Sequence, residues 1–294
     1  MRRYLAAVLA AAVLACTACQ APAGVDGDLT DDWAALPPAA AFVPRAGTCH
    51  PERGDADAEQ QREVDCGQKH DTETVLAGTL AGPGVTATAP PAVGSPSLRA
   101  ARSRCDHAAN ALLGADWHGG RLAMDLLLPS RAAWSRGARW YRCDLFETYS
   151  MGSDSGIPRP RRSRLAGALR PGSPLAHACF QSQRADGAPT ALDAVPCAEP
   201  HDAEFAGVYT APDRETRTGL TRSPGLVQDR CRGIIAHFAG ATTREVTRRT
   251  GLIWKAPDEP EWRDGDRGVL CFLLTDRSLT RSLRDAGAAA LPPG

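Results

Sequence analysis

A ten-residue phrase occurs twice in this chain and divides the sequence into two comparable halves. Both copies follow the pattern V-x-C-x-x-x-H-D-x-E, and they begin at Val64 and at Val195. A second pattern, P-x(4)-W-x-x-G-x(5)-C, also occurs twice, beginning at Pro129 and at Pro257. The same motifs in the same order are typical of a duplicated structural unit. The sequence therefore predicts two small domains in tandem.

The first sixteen residues have the features of a lipoprotein signal peptide. Two arginines precede the apolar run 5–15, which is too short to span a bilayer. Cys16 follows Val-Leu-Ala and resembles the cysteine of a bacterial lipobox, which receives a diacylglyceryl group. Cys19 is the alternative lipidation site, and an ordinary secretory signal without lipid is the competing interpretation. Residues 17–42 are rich in Ala, Pro, Gly and Asp, so we expect a flexible tether there.

The other eight cysteines are divided equally between the two halves. An export signal places them in an oxidising compartment, where an even, repeated set is typical of disulfide bonds. If both halves pair their cysteines in the same order, three connectivities remain. The connectivity with short loops is favoured. It joins Cys49–Cys66, Cys105–Cys143, Cys179–Cys197 and Cys231–Cys271.

Hydrophobic periodicity predicts the same elements in each half, namely a helix packed on an antiparallel sheet. The fold class is therefore α+β, with two tandem small domains, each with one helix and two disulfides. We place the domains at 43–146 and 174–276, joined by an Arg/Pro/Gly-rich linker at 147–173 and followed by a frayed tail at 277–294. The linker is expected to be a solvated spacer; contact of its arginines with anionic lipid or wall polymers is the alternative. The predicted strands are 74–80, 122–128, 141–146, 204–210, 251–255 and 268–274, and the predicted helices are 97–113 and 224–238.

The paired phrases and the lipobox resemble the septum formation domain family, which comprises exported, often membrane-anchored proteins of actinobacteria. The resemblance covers Val43 to Phe146 and Pro174 to Leu274. It implies a link to cell division and no known reaction. The first copy departs from the pattern because Ala138 stands where the second copy has Asp266. Any retained binding function is therefore expected in the second copy.

The H-D-x-E phrases supply the candidate binding residues. A cysteine four residues before a histidine is half of a common zinc pattern, but here the cysteine is expected to be oxidised. Strand alternation would also place His201 and Glu204 on opposite faces. We therefore favour a structural role in the turn that enters the strand and expect no metal or cofactor. The candidate residues are His70, Asp71, Glu73, His201, Asp202 and Glu204.

Trp134 and Trp262 are the remaining candidates, each three residues before a glycine. A tryptophan in this position is typical of a core lid whose ring N–H has a partner, and ligand contact is the alternative.

No catalytic motif is present: the sequence has no G-x-S-x-G, H-E-x-x-H, S-x-x-K or P-loop pattern. The formal net charge of +0 argues against a nucleic-acid partner. We therefore expect a non-enzymatic binding or scaffold protein, lipid-anchored at the outer face of the cell membrane. Its expected partner is an envelope protein or a cell-wall component. The alternatives are an envelope-acting enzyme that uses His201, Asp202 and Glu204, and a metal-binding surface protein.

Overall fold

The computed structural model describes residues 41–54, 61–149, 151, 156–186 and 188–293. The signal peptide, both candidate lipidation cysteines and nearly all of the expected tether lie outside these residues. No helix in the described part of the chain is long and apolar enough to cross a membrane.

The protein has a mixed α/β structure with two antiparallel sheets, and the described residues contain six α-helices and four disulfides. The strands are β1 (Cys49–His50), β2 (Thr72–Thr79), β3 (Leu122–Leu127), β4 (Trp140–Glu147), β5 (Cys179–Ala185), β6 (Ala188–Val195), β7 (His201–Thr210), β8 (Gly251–Lys255) and β9 (Gly268–Leu279). The helices are α1 (Pro96–Leu113), α2 (Arg131–Ser135), α3 (Arg217–Arg222), α4 (Gly225–Ala239), α5 (Thr243–Arg249) and α6 (Glu259–Asp264).

The first sheet has the strand order β1-β2-β4-β3 and the second has the order β6-β5-β7-β9-β8. One long helix packs on each sheet, α1 on the first and α4 on the second, and each carries a buried cysteine. Ser95 caps the start of α1 through its side chain, and Gly114 ends the helix in the left-handed conformation. The apolar face of each helix thus packs on its sheet and forms part of the core.

The disulfides are Cys49–Cys66, Cys105–Cys143, Cys179–Cys197 and Cys231–Cys271, the same four pairs that the sequence favoured. In each half, one bridge joins the long helix to the central strand that follows it. The other bridge joins the first strand to the V-x-C segment. The four bridges therefore occupy corresponding places in the two halves.

The expectation of one helix per domain is wrong. The described residues before 177 contain α1 and α2, and those after it contain α3 to α6. We call residues 42–176 the N-terminal half and 177–293 the C-terminal half. The halves belong to one compact unit that begins at Phe42. The extra helices arise from short capped segments, such as α5, which opens with a capping box formed by Thr242 and Glu245.

The expected linker and tail are also corrected. Leu165 and Leu169, in the predicted spacer, are buried in the core of the N-terminal half. Leu283 and Leu291, in the predicted frayed tail, are buried against α4 and its neighbours. Each segment follows the last strand of its half and packs back onto it. The linker is therefore a structural part of the N-terminal half rather than a solvated spacer.

Candidate functional site

The histidines of the two H-D-x-E phrases are fully buried and make the same hydrogen bond in both halves. His70 Nδ1 lies 2.8 Å from the Gln68 carbonyl oxygen, and His201 Nδ1 lies 2.8 Å from the Glu199 carbonyl oxygen. Because a carbonyl oxygen can only accept, Nδ1 carries the hydrogen in each ring. Each imidazole thus closes the tight turn that precedes its strand, as expected for a structural residue.

The glutamates of the two phrases hold the segments that pack back onto each half. Glu73 Oε2 accepts a hydrogen bond from the backbone N–H of Leu165 at 2.7 Å, and Glu204 Oε1 accepts one from Leu283 at 2.9 Å. Glu204 also accepts from the Ser282 hydroxyl at 2.5 Å. Both carboxylates are buried, so they replace water as acceptors for groups that would otherwise lack a partner. This shared contact explains why the phrase ends in glutamate.

The aspartates of the two phrases differ in their surroundings. Asp202 accepts hydrogen bonds from the Ser182 backbone N–H at 2.7 Å and from the Ser182 hydroxyl at 2.6 Å, and Arg184 lies 3.2 Å away. It thereby ties β7 to the hairpin formed by β5 and β6. Asp71 is partly exposed, and burial raises its pKa above the ordinary value. The two aspartates are therefore not equivalent.

A register shift in β7 brings His201 and Glu204 together, so the expectation of opposite faces is wrong. The pairing with β9 is irregular between His201 and Ala203, and His201 Nε2 lies 3.5 Å from Glu204 Oε1. Cys179 adds a sulfur within 4.8 Å of both groups. That sulfur is bonded to Cys197, and a metal requires a free thiolate. These three residues could therefore hold an ion only after the disulfide is reduced.

Each candidate tryptophan is buried beneath an arginine five residues later in the sequence. The Arg139 guanidinium lies 4.0 Å from the centroid of the Trp134 ring, and that of Arg267 lies 4.6 Å from the Trp262 ring. Both arginines also donate to the carbonyl oxygen of their tryptophan. Each indole N–H donates to a loop carbonyl oxygen of the same half. Cation–π contact and backbone bonds together keep both tryptophans in structural positions.

The difference between Ala138 in the N-terminal half and Asp266 in the C-terminal half has a direct structural consequence. Asp266 occupies the position that Ala138 has in the N-terminal half, and its buried carboxylate contacts the other half of the protein. Arg102 on α1 donates to Asp266 Oδ2 at 2.6 Å, and the His118 imidazole bonds Oδ1 at 2.9 Å. Gly268 has no side chain, which permits this approach, because a Cβ there would lie 2.3 Å from the His118 ring.

We call Arg102, Asp106, Asp116, Trp117, His118 and Asp266 the junction cluster. His118 stacks on Trp117 and bonds Asp116 at 2.7 Å as well as Asp266. Burial alone would lower the pKa of His118, but hydrogen bonds to Asp116 and Asp266 outweigh it and raise the pKa to about 9. For Asp266, burial is likewise outweighed by His118 and Arg102, which hold its pKa below the ordinary value. The cluster is therefore a largely buried charged network between the two halves, with Asp116 at its exposed edge.

A cleft of about 370 Å³ lies beside the junction cluster and is lined by both halves. This volume falls in the range of small-molecule sites, about 300–1,000 Å³. The N-terminal half supplies Arg53, His118, Arg121 and Asp125, among others. The C-terminal half supplies His177, Lys255, Asp258, Glu261 and Asp266. Among the candidates taken from the sequence, none of the H-D-x-E residues and neither tryptophan lines this cleft.

Residues 46–271 match the family model described as septum formation. The chain belongs to the septum formation family. The match is one continuous span that includes both halves, and it confirms the family resemblance seen in the sequence. No curated protein and no solved structure matched the chain. For this septum formation family member, the fold and the site are therefore interpreted from its own residues.

The junction cluster predicts a specific pH dependence of stability. The pKa of His118 is about 9 in the folded protein, above the value of about 6.5 for an unfolded chain. The stabilisation that protonated His118 gives the folded state is therefore fully present below pH 6.5 and is lost as the pH rises towards 9. We expect about 3 kcal/mol of unfolding free energy to disappear over that window. Urea denaturation at several pH values would measure it.

The matched variant for this prediction is His118→Gln. Glutamine retains hydrogen-bonding capacity but does not titrate. The free energy of unfolding of the variant should therefore not show the His118-dependent decrease between pH 6.5 and 9. A wild-type curve parallel to that of the variant across the window would contradict the assignment.

Sequence reasoning missed the junction cluster and the cleft. The one available signal was the acidic residue at position 266, which the corresponding motif of the N-terminal half lacks. Its partners, Arg102 and His118, lie 164 and 148 positions earlier in the chain. No local pattern links positions so far apart.

Proposed function

We propose that this family member is a lipid-anchored, extracytoplasmic, non-enzymatic binding or scaffold protein in cell envelope assembly or septum formation. The observation that carries the proposal is the septum formation match over residues 46–271. The four disulfides support an oxidising, extracytoplasmic location, because such bonds persist mainly outside the reducing cytosol. The lipobox at Cys16, with Cys19 as the alternative, supports attachment to the outer face of the membrane.

A binding role is favoured over catalysis by the surroundings of the H-D-x-E phrases. His201 and Glu204 are almost completely buried, and the glutamate is occupied by backbone and hydroxyl donors of the protein itself. A general acid or base must reach its substrate. The proposed partner is another envelope protein or a wall component, with no nucleic acid. A metal-binding role is the second candidate, and the Cys179, His201 and Glu204 cluster favours it only if the cysteine is reduced.

We also propose that the chain consists of two tandem copies of one α+β unit. The repeated disulfides, the shared contacts of the H-D-x-E phrases and the paired tryptophan–arginine contacts support this interpretation. Segments 147–173 and 277–293, which run on from the end of the last strand of each half, belong to the same copy as that strand, because each carries a leucine whose N–H is held by the glutamate of its own phrase.

The anchor is tested by comparing Cys16→Ala with the matched variant Cys19→Ala. We expect wild type and Cys19→Ala to fractionate with membranes and to incorporate a labelled fatty acid. Cys16→Ala should carry no label and leave the lipidated membrane pool. If Cys19→Ala alone loses the label, the anchor is Cys19. An unlabelled wild-type protein in the medium would contradict the lipid anchor.

The septal role is tested with a fluorescent fusion that folds outside the cytoplasm. We expect enrichment at division septa and misplaced or delayed septa after depletion of the protein. A uniform envelope signal with normal division would contradict a septal role, while leaving a general envelope role in place.

A further inference from the structure

Most charged groups that line the cleft between the halves are already paired. Arg53 and Asp125 form a two-pronged ion pair at 2.7 and 2.8 Å, and His118 is bonded to Asp266. Arg121 pairs with Glu147 at 3.7 Å and donates to the Pro174 carbonyl oxygen at 2.9 Å. These groups shape the cleft but already have partners for their charges. The charges that remain are therefore those that a ligand would meet.

Three charged residues of the cleft have no ion-pair partner within 4.0 Å among the described residues. The Lys255 ammonium donates only to the Met151 carbonyl oxygen, at 3.1 Å, and burial lowers its pKa. Glu261 accepts only from the backbone N–H of Asp258, and burial raises its pKa. Asp258 is exposed at the start of α6. Asp258 and Glu261 are nevertheless close enough to Lys255 to oppose the effect of burial on its pKa. The cleft thus offers one cation and two anions that lack a direct ion-pair partner among the described residues.

The buried wall of the cleft contains an imidazole that lacks a partner. His177 is 7% exposed, and its Nδ1 has no hydrogen-bond partner in the described part of the protein. Burial, with Arg121 and Lys255 nearby, lowers the pKa of His177 to about 3. The ring is therefore neutral at physiological pH and carries one N–H donor. A buried polar nitrogen without a partner is uncommon, and this one belongs to a side chain that lines the cleft.

We propose that this cleft binds a small zwitterion, namely an amino acid or a short peptide with a free ammonium and a free carboxylate. The carboxylate lies against Lys255 and His177, and the ammonium lies against Asp258 and Glu261. A simple anion would meet the two acidic residues, and a simple cation would meet Lys255 and Arg121. A ligand with both charges finds an opposite charge for each of its two ends. This inference goes beyond the proposed envelope role and does not depend on it.

The chain contains only two lysines, Lys69 and Lys255, which gives a direct measurement. In the oxidised full chain labelled with ¹³C and ¹⁵N at lysine, NMR should show two side-chain signals. Titration with alanyl-alanine is expected to shift the Lys255 signal in a saturable way. The exposed Lys69 signal should stay unchanged and serves as the internal control. The carboxylate should also raise the pKa of Lys255 in the complex.

Blocked peptides test the ligand class on the wild-type protein alone. N-acetyl-alanyl-alanine lacks the ammonium, and alanyl-alanine amide lacks the carboxylate. Each is expected to bind at least tenfold more weakly than alanyl-alanine, because each loses charge-assisted hydrogen bonds. Equal affinity for the three peptides would overturn the proposal, as would equal shifts of both lysine signals or no shift at millimolar peptide.

Substitutions locate the two ends of the ligand. Lys255→Met keeps the aliphatic stem and should abolish binding, whereas the matched variant Lys69→Met should bind as wild type. Glu261→Gln retains the hydrogen bond to Asp258. This variant should lose most of the preference for a peptide with a free ammonium, while its affinity for N-acetyl-alanyl-alanine should not fall further. Unchanged peptide affinity in Lys255→Met would overturn the proposal. Fractionation and septal imaging test the envelope role independently, so the two failures are distinguishable.

Discussion

Replacing Asp266 with alanine is expected to lower the free energy of unfolding by about 3–5 kcal/mol. The variant leaves Arg102 and His118 buried without the carboxylate that joins them across the two halves. Arg102 retains Asp106 and His118 retains Asp116, but each loses its most deeply buried partner and keeps its desolvation penalty, which is why the expected loss is large. Urea denaturation at pH 7 would measure the change.

Asp213→Ala is the matched control for this variant. Asp213 also pairs with an arginine, Arg267, at 3.5 Å, but its side chain is 95% exposed. Exposed ion pairs contribute little because water screens both charges, so no measurable change is expected. Similar small losses in both variants would show that Asp266 is not a buried link between the halves.

Removing the disulfide Cys231–Cys271 is expected to cost about 4 kcal/mol, from the loop entropy of the unfolded chain. The two cysteines are 40 positions apart, and both are fully buried between α4 and β9. Replacing both with alanine frees the helix from the strand that it packs on. Denaturation of this double variant, compared with the oxidised wild type, would measure the loss.

The matched comparison is the double alanine variant of Cys49 and Cys66. These cysteines are 17 positions apart, so the same model gives about 3 kcal/mol. Their bridge joins a two-residue strand to a turn rather than a helix to a sheet. A larger loss at Cys49 and Cys66 than at Cys231 and Cys271 would contradict this account of the core.

Much of the fold was predictable because the repeated cysteines define equivalent positions in the two halves. Helix 97–113 was predicted and α1 is Pro96–Leu113; strand 251–255 was predicted and β8 is Gly251–Lys255. These segments have a clear apolar stripe or a run of β-forming residues. Local pattern and tertiary packing agree there, so the sequence alone was sufficient.

The hairpin of β5 and β6 was missed because β5 is mostly polar, β6 is rich in alanine, and both strands are partly exposed. The Asp186-Gly187 pair between them was a usable signal, since such pairs favour hairpin turns. The packing of segments 147–173 and 277–293 onto their halves was missed for another reason. Leu165 and Leu283 are isolated apolar residues in polar stretches, and their burial depends on distant glutamates.

The candidate site was less predictable than the fold. Sequence reasoning weighed the H-D-x-E phrases as binding residues against a structural role, and the structure places them in internal contacts. The register shift at His201 could not be anticipated from strand alternation. The cleft lies where the two halves meet. Residues such as His118 and Asp266 are far apart in the sequence and come together only in the complete fold, so no local pattern predicts the cleft.

The most direct test of the central claim is intact mass and disulfide mapping of the protein purified from its native membrane. We expect a diacylglyceryl modification on Cys16 and the four bridges described above, with no free thiol. Free thiols at Cys66 and Cys197, or a mature chain without lipid, would contradict it. In the reduced form Cys179 would be released from Cys197, and the cluster with His201 and Glu204 would become the leading metal-site candidate.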